Sequence, residues 1–334
     1  YYFLMENELD FVAVGDVVTE PFIRLKDAST HCKVDQSACE LCVRFGDKIP
    51  YESAEIMRAV GNSANAAVCA ARLGLKSALI SDIGDDEIGK GNIEELKLNN
   101  VITDYIHTHL GLPSNYHYVL WYDVERTILV RHTEFPYQFP LDLPKTKWLY
   151  LSSLASNSEQ YHKQIMLFLE RNPETKLAFQ PGTFQMKLGK EKLADLYKRT
   201  EFLFCNVEEA QRILGEEEKN LKILLRKMRE LGPKNVVITD GIKGAYTYDG
   251  QNYLFMPVYP HTPYERTGAG DSFSSTITAC LAKGKTLEES LMWAPINSMS
   301  VVQYVGAQKG LLTEEKIKEF LTKAPADYIP STLI

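Results

Sequence analysis

The hydrophobic pattern alternates between two periods along most of the chain. Short runs rich in Val, Ile and Phe predict buried strands, and longer segments with apolar residues three or four positions apart predict amphipathic helices. The predicted strands are residues 11–18, 77–83, 148–152, 176–180, 202–206 and 235–239. The predicted helices are residues 60–74, 88–100, 159–171, 190–199, 208–214 and 220–231, and three more begin at Asp271, Thr286 and Thr313. Strands that alternate with helices indicate a mostly parallel sheet covered on both faces.

Two segments depart from this rhythm. Residues 24–51 and 115–132 are rich in β-like runs, and the second is typical of a hairpin. We expect them to pair into a small lid sheet beside the main domain. Because no internal repeat, low-complexity tract or linker is evident, we predict a single domain over residues 5–330, with the lid inserted from these two segments.

The lid hairpin is unusually aromatic, and alternate residues of a strand face opposite sides. One face would carry Asn115, His117, Val119 and Trp121, and the other Tyr116, Tyr118, Leu120 and Tyr122. An aromatic face could stack on a sugar ring or a nucleobase, or pack against the lid of a second copy in a dimer. Arg126 and Arg131 could bind a phosphate or carboxylate on a substrate, or be solvated charges at a sheet edge.

Composition and charge narrow the class of protein. The chain has 334 residues, of which 45% are hydrophobic and 24% charged, which is typical of a globular protein. Its net charge of -7 argues against a broad nucleic-acid interface. No apolar run approaches the ~18 residues of a membrane span, and no signal peptide pattern is visible. We therefore expect a cytoplasmic protein without nucleic-acid or membrane partners.

The six cysteines fall into two groups. Three lie in apolar periodic segments and are expected in the core: Cys69, Cys205 and Cys280. The other three, Cys32, Cys39 and Cys42, lie close together with His31 beside them. They could bind zinc, or they could be ordinary reduced thiols, as expected for a cytoplasmic protein.

The run ERTGAGDSF at residues 265–273 carries the strongest chemical signal. Gly268 and Gly270 lack side chains, so a ligand can approach the main chain closely. The following residues, 272–283, have helical spacing, which places these amides at a helix N-terminus that favours phosphate or a developing negative charge. Asp271 could cap this helix, or it could act as a general base beside the anion site.

Three other short motifs carry polar side chains or glycines. They are GNSAN at residues 61–65, NVEE at residues 206–209 and TDG at residues 239–241. Each has an ordinary structural explanation. Asn206 can cap a helix, Glu209 can lie on a solvated helix face, and residues 239–241 can form a turn. Asn65 and Asn297 can be polar helix residues with their amides satisfied inside the protein.

With these motifs in this order, the chain resembles the ribokinase-like (PfkB) carbohydrate kinase family over nearly its whole length. The resemblance implies a ribokinase-like three-layer α/β fold, with a mostly parallel central sheet flanked by helices and a small β-sheet lid. It implies an ATP- and Mg²⁺-dependent phosphotransferase that acts on a hydroxyl of a sugar or sugar-like substrate. Asp271 would be the general base, and the amides of Gly268, Ala269, Gly270 and Asp271 would form the anion hole.

The resemblance also implies binding roles. The expected acceptor-binding residues are Asp16, Glu20, Gly61, Asn62, Asn65 and His117, where Glu20 is the better match to the family's acidic residue near the first strand. The expected nucleotide-binding residues are Asn206, Thr239, Gly241, Asn297 and Gly306. Asn206 and Glu209 would orient Mg²⁺, in part through water.

The chain also departs from the family pattern. Glu265, Arg266 and Thr267 stand where the family usually has Asp-Thr-Thr, so Arg266 lies near the phosphate path or pairs with Glu265. Val60 precedes Gly61 where two glycines are usual, and Gln180 begins a segment that lacks the usual Asp and Arg.

Three hypotheses follow. The chain is a kinase of a sugar or sugar-like alcohol, a nucleoside kinase of the same family, or a non-catalytic binding protein on the kinase fold. We expect a homodimer that forms through the lid. A nicotinamide dehydrogenase is disfavoured, because no G-x-G-x-x-G follows the first strand.

Overall fold

A computed structural model describes residues 8–32, 39–123, 125–140 and 142–333. Within them the strands are β1 (Leu9–Val14), β2 (Val18–Leu25), β3 (Ser29–Cys32), β4 (Cys39–Cys42), β5 (Tyr51–Val60), β6 (Ser77–Gly84), β7 (Ile106–His109), β8 (Tyr118–Tyr122), β9 (Glu125–Leu129), β10 (Thr146–Leu151), β11 (Lys176–Phe179), β12 (Phe202–Asn206), β13 (Asn235–Thr239), β14 (Ala245–Tyr248), β15 (Tyr253–Met256) and β16 (Ser331–Thr332).

The helices of the same residues are α1 (Asn62–Arg72), α2 (Glu87–Leu98), α3 (Glu159–Arg171), α4 (Thr183–Leu188), α5 (Ala194–Arg199), α6 (Val207–Leu214), α7 (Leu221–Glu230), α8 (Ala269–Ala282), α9 (Leu287–Val301) and α10 (Glu314–Thr322). A 3-10 turn spans Gly241–Lys243. None of the described helices is both long and apolar enough to cross a membrane.

One large sheet forms the centre of the molecule. Its strand order is β16-β15-β14-β13-β12-β11-β10-β1-β6-β7. The seven strands from β13 to β7 in this order pair in parallel, and β14, β15 and β16 add an antiparallel edge. The predicted α/β class with a mostly parallel sheet is therefore confirmed.

Helices cover both faces of this sheet, which explains why its central strands are continuously apolar. On one face, Ile277 of α8, Leu291 of α9 and Ile317 of α10 join one buried core. On the other face, Ile165 of α3 and Leu224 of α7 join a second core. The two cores give the three-layer arrangement that the sequence predicted.

Small residues bring α1 close to α8. Ala66, Ala67 and Ala70 of α1 are fully buried, and α1 and α8 lie in contact. Because side chains this small let helices approach closely, the polar residues at the start of α1 lie beside the start of α8. This packing positions the candidate site.

The lid is a four-stranded sheet in the order β5-β2-β8-β9, and β3 and β4 form a separate two-stranded ribbon. The lid strands from the first segment, β2 and β5, extend beyond the predicted bounds of 24–51, because they begin at Val18 and end at Val60. The predicted strand over residues 11–18 ends at Val14, since Gly15 has a φ of 152° and the chain turns out of the main sheet there. A side chain at Gly15 would approach the Ser153 carbonyl oxygen to 2.8 Å.

The predicted alternation of the lid hairpin is present. Val119 and Trp121 are buried and face the main domain, whereas Tyr118 is 46% exposed on the outer face. Arg131 lines a separate outer groove with Tyr118, so it does not face the same side as Arg126.

The expectation of reduced thiols or zinc at the clustered cysteines is corrected by the structure. Cys32 and Cys39 form a disulfide across the β3–β4 ribbon, and Cys42 is left as a free thiol. Among the described residues, no group of three or more His, Cys, Asp or Glu side chains could hold a metal ion. Cys69, Cys205 and Cys280 are buried, as predicted.

Candidate active site

The start of α8 presents bare main chain at the carboxyl edge of the sheet. Gly268 caps the helix with a φ of 79°, and a Cβ there would lie 2.4 Å from the Ala307 Cβ. Gly270 differs, because its nearest neighbour would be Gln180 Nε2 at 3.9 Å. The Ala269 amide makes a long hydrogen bond of 3.5 Å to the Arg266 carbonyl oxygen, whereas the amides of Gly270 and Asp271 have no carbonyl partner among the described residues, so partial positive charge gathers there. The site can therefore hold an anion.

Three side-chain amides hold the Asp271 carboxylate in the first turn of α8. Asn62 Nδ2 donates to Oδ1 at 2.7 Å, and Asn65 Nδ2 donates to Oδ2 at 2.8 Å. Gln180 Nε2 also donates to Oδ1, at 3.1 Å. These donors come from α1 and from the end of β11, so Asp271 is oriented by two separate parts of the chain.

Further hydrogen bonds fix these donors. Gln308 Nε2 donates to Asn65 Oδ1 at 3.0 Å and to the Ala59 carbonyl at 2.7 Å. On the other side, the Tyr150 hydroxyl donates to Gln180 Oε1. Burial and then the charge of Asp271 raise the pKa of Tyr150 well above its ordinary value, so this phenol remains a donor. The carboxylate is therefore held by a network rather than by single contacts.

Of the two alternatives that the sequence left open for Arg266, the ion pair with Glu265 is absent. Glu265 is buried, and its Oε1 accepts hydrogen bonds from the Thr267 amide at 2.7 Å and the Thr267 hydroxyl at 2.6 Å. Arg266 does not pair with Glu265, because its Nη1 lies 2.9 Å from Glu125 Oε1 of the lid. Buried Glu265 thus holds the loop through Thr267, while Arg266 forms an ion pair with the lid.

A cleft of about 290 Å³ lies between the lid and the start of α8. Its lining includes Glu20, Gly61, Asn62, Asn65, Arg126, Gln180, Asn206, Glu209, Thr239, Arg266 and the run from Thr267 to Asp271. Most of these residues are polar or charged, so the cleft suits a hydroxyl-rich ligand.

The two candidate acidic residues occupy different places. Glu20 lines the cleft, and its Oε1 lies 3.2 Å from His117 Nδ1. Asp16 lies behind the lining, where the Tyr137 hydroxyl donates to its Oδ1 at 2.7 Å and His132 Nδ1 lies 3.2 Å from its Oδ2. Burial and the Asp16 charge raise the pKa of Tyr137, which keeps that hydroxyl protonated.

A second cleft of about 460 Å³ meets the first at the start of α8. Its lining is mostly apolar or main chain and includes Gly241, Ile242, Met256, Val258, Pro295 and Met299. The two clefts share Thr239, Arg266, Ala269, Gly270 and Phe273. A group passing from one cleft to the other would therefore cross the amides at the start of α8.

Asn206 and Glu209 form a reciprocal cap at the start of α6. The Glu209 amide donates to Asn206 Oδ1 at 2.8 Å, and the Asn206 amide donates to Glu209 Oε2 at 2.9 Å. Burial raises the pKa of Glu209, the Asn206 amide opposes this, and the Asp271 charge adds to it. The second Glu209 oxygen accepts no hydrogen bond from a described residue, so a cation near the cleft would relieve the repulsion from Asp271.

Two predicted nucleotide residues do not reach either cleft. Asn297 is fully buried, where its Nδ2 donates to Thr276 Oγ1 at 2.8 Å and its Oδ1 accepts from the Leu312 amide at 2.9 Å. Its neighbour Ser298 lines the second cleft instead. The Gly306 amide lies 3.4 Å from Glu265 Oε2, so this glycine supports the loop.

The sequence reasoning missed Gln180 and Gln308 as partners of the site. Gln180 is the last residue of a predicted strand, at the sheet edge where ligands bind, so its position gave a signal. Gln308 gave none, because it reaches Asn65 across 243 positions of sequence.

Comparison with known proteins identifies the family of this chain. A family described as pfkB family carbohydrate kinase matches residues 31–314. The chain belongs to the pfkB family of carbohydrate kinases. The predicted family, fold and enzyme class are therefore confirmed.

Relatives of this pfkB chain span most of its length. A ribokinase of Bacillus subtilis is 27% identical over 277 residues, covering 78% of this chain and 87% of that one. An ATP-dependent 6-phosphofructokinase of Thermoanaerobacterium thermosaccharolyticum is 25% identical, covering 77% and 83%. Arabidopsis thaliana ribokinase, solved with ribose and ATP, has the same fold, with a TM-score of 0.78, 19% identity and coverage of 94% and 99%.

Proposed function

We propose that this pfkB kinase transfers the γ-phosphoryl group of Mg²⁺-bound ATP to a hydroxyl of a sugar or sugar-like acceptor. Asp271 is the general base, and the amides of Gly268, Ala269, Gly270 and Asp271 form the anion hole. The observation that carries the proposal is the position of Asp271. It lies beside the helix start at which two clefts meet, held by three amide donors.

The polar cleft suits the acceptor. Glu20, Asn62 and Asn65 line it and can bind hydroxyl groups. The apolar cleft suits the adenine of the donor, since nucleobases are held mainly by apolar contacts. Thr239 and Gly241 lie at the end of parallel strand β13, where α/β folds place ligands.

Asp271 acts on the acceptor hydroxyl. All three of its partners donate N–H groups, which leaves oxygen lone pairs to accept the hydroxyl proton as that oxygen attacks the phosphorus atom. The amides at the start of α8 then stabilise the charge on the transferring phosphoryl oxygens. The lid covers the acceptor cleft and limits the entry of water.

Glu209 and Asn206 fit a Mg²⁺ ion held largely through water and donor phosphates. Mg²⁺ is usually bound by one or two carboxylates plus phosphates and keeps several waters, and the described residues form no closed metal cage. When bound, the ion would neutralise phosphate charge.

The test is ATP- and Mg²⁺-dependent release of ADP across pentoses, hexoses, sugar acids, sugar phosphates and nucleosides. Asp271→Asn should lower kcat by roughly 10²–10⁴-fold, the contribution of a general base, while the protein still folds. Asp195→Asn, at an exposed helix position, is the matched control and should retain activity. Near-full activity of Asp271→Asn would refute the role of Asp271. No turnover of any acceptor would favour the non-catalytic alternative.

A nucleoside acceptor is the weaker alternative. Trp121, the tryptophan of the inner lid face, is already covered by the Arg24 guanidinium, 4.6 Å from its ring centre, and packs edge-on against Tyr264 with ring centres 5.3 Å apart. Trp121 also lies outside the lining of the acceptor cleft. These contacts support a sugar over a nucleoside.

We also propose that two copies pair through the outer faces of their lids. Ile56, Tyr118 and Leu129 are 56%, 46% and 53% exposed on that face, which forms an apolar patch. Light scattering should give about twice the chain mass, and a monomer at micromolar concentration would contradict the proposal.

A further inference from the structure

Arg126 is a lid residue that the proposed mechanism does not use. It lies on β9 and lines the acceptor cleft together with Ile128 and Glu20. Its cross-strand partner is Trp121 of β8, which faces the main domain, so the Arg126 side chain shares that inner face. The guanidinium is therefore part of the wall that covers the acceptor.

The Arg126 guanidinium has no partner among the described residues. Its Nε is buried and makes no hydrogen bond, and no carboxylate lies within ion-pair distance. Two nearby arginines differ from it. Arg24 pairs with Glu52 at 3.2 Å, and Arg266 pairs with Glu125 at 2.9 Å. Because an unpaired, partly buried cation is unfavourable, this position favours a ligand that brings an anion.

The anion belongs to the acceptor rather than to the donor. The apolar donor cleft includes no residue of the described lid strands, whereas Glu20, Arg126 and Ile128 all line the acceptor cleft. Arg266 borders both clefts, so it is the arginine placed near the transferring phosphoryl group. Arg126 is placed near the part of the acceptor that does not react.

Glu20 and Arg126 lie at different depths of the same lid face. Along that face, Phe22 pairs with Val119, which pairs with Ile128, and Arg24 pairs with Trp121, which pairs with Arg126. Glu20 lies one pleat deeper than Phe22, so the row of Ile128 separates it from Arg126. A carboxylate at one depth and a guanidinium at the other would orient an acceptor with hydroxyls at one end and an anion at the other.

We propose that the acceptor carries an anionic group, a carboxylate or a phosphate monoester, and that Arg126 binds it. The site would thus prefer a sugar acid or a sugar phosphate over the corresponding neutral sugar. This inference rests on the proposed kinase function and adds the chemical class of its acceptor.

The experiment compares acceptors that share a carbon skeleton and differ in charge. Ribose, fructose and glucose are assayed beside their monophosphates, and ribose and glucose beside their aldonic acids, with ATP and Mg²⁺. For the carbon skeleton that the enzyme prefers, kcat/KM for the anionic acceptor should be at least tenfold higher than kcat/KM for the neutral sugar. This difference should become smaller as salt is added. The comparison between sugar monophosphates and aldonic acids shows which anion is bound.

Arg126→Met removes the charge and keeps much of the apolar stem. The preference for the anionic acceptor should fall by roughly 10–100-fold, mainly through KM, because a charge-assisted hydrogen bond is lost. Arg126→Lys keeps the charge without the planar fork and should give an intermediate loss. The matched control is Arg131→Met, which removes the same charge from the outer groove of the lid and should leave the preference unchanged.

Other outcomes would overturn the proposal. Neutral sugars could be the best acceptors, with no anion preference to lose. Arg126→Met could instead lower kcat equally for every acceptor, which would place Arg126 on the transferring phosphoryl group. If no acceptor turns over, the kinase proposal fails separately, and thermal shifts without ATP then decide. Stabilisation of the native protein but not of Arg126→Met by an anionic acceptor supports the inference, and its absence refutes it.

Discussion

The two clefts that meet at α8 are built in opposite ways. Every residue that lines the apolar donor cleft lies between Thr239 and Val302, whereas the lining of the acceptor cleft extends from Glu20 to Ala307. The donor cleft offers mainly apolar side chains and main chain. The acceptor cleft offers carboxylates, amides and arginines from distant segments. Under the proposed assignment of the clefts, the difference teaches that the residues that hold the donor are local in sequence, while those that bind the acceptor are brought together by tertiary structure.

Among the substitutions that test this contrast between the clefts, the largest effects are expected at the two glycines where the clefts meet. Gly268→Ala should destabilise the protein by about 2 kcal/mol or more, because it combines left-handed backbone with a clash against Ala307. Gly270→Ala meets nothing closer than 3.9 Å, so its melting temperature should not fall. Its kcat should still drop roughly tenfold or more, since the new methyl enters the phosphoryl path.

Paired measurements of melting temperature and kcat separate these two cases. Equal stability losses in both variants would show that the junction is a structural feature rather than a passage between the clefts.

A smaller effect on activity is expected at Glu209. This residue lines the acceptor cleft, but its proposed role is to help bind the Mg²⁺ ion that accompanies the donor phosphates. Glu209→Gln should lower activity roughly tenfold at limiting Mg²⁺, with recovery as Mg²⁺ is raised. Burial raises the pKa of Glu209 in the folded protein above the ordinary 4.5. The wild-type protein therefore loses stability relative to Glu209→Gln as the pH rises through and beyond 4.5.

Melting temperatures of the wild-type protein and of Glu209→Gln, measured between pH 4 and pH 8, check the sign of this effect. A wild-type protein that gains stability relative to Glu209→Gln as the pH rises would contradict the raised pKa. Activity that is insensitive to the substitution at every Mg²⁺ concentration would remove Glu209 from the donor side.

The smallest effect tests the apolar cleft alone. Ile242 is 78% exposed and lines the donor cleft. Ile242→Ala should raise the KM for ATP roughly 3–10-fold through lost apolar contact and leave the KM for the acceptor and the melting temperature unchanged. A change confined to the acceptor KM would reverse the assignment of the two clefts.

The same difference between local patterns and contacts of distant residues explains what could be predicted from the sequence. The strand–helix rhythm, the start of α8 and the capping of α6 by Asn206 are local patterns, and each was predicted. The return hydrogen bond from the Asn206 amide to Glu209 was not. The extent of the lid was not, because the turn at Gly15 depends on a close approach to Ser153. Likewise, Arg266 meets Glu125 across 141 positions, a pairing that no local pattern contains.

Asn297 shows the limit of a resemblance. Its place in the sequence matched a region expected to face the nucleotide, yet its amide is consumed by Thr276 and the Leu312 main chain. Successive residues of a helix point about 100° apart, so a shift of one position moves a side chain to another face. In α9, Ser298 rather than Asn297 faces the cleft.

The amides around Asp271 have a consequence for the fate of the proton. Asn62, Asn65 and Gln180 do not titrate near neutral pH, and all three donate to the carboxylate. In the proposed mechanism, none of them can relay a proton that Asp271 has received from the acceptor. That proton must leave by way of the product or of water admitted when the lid opens. Resetting the base for the next turnover is thereby tied to emptying the cleft.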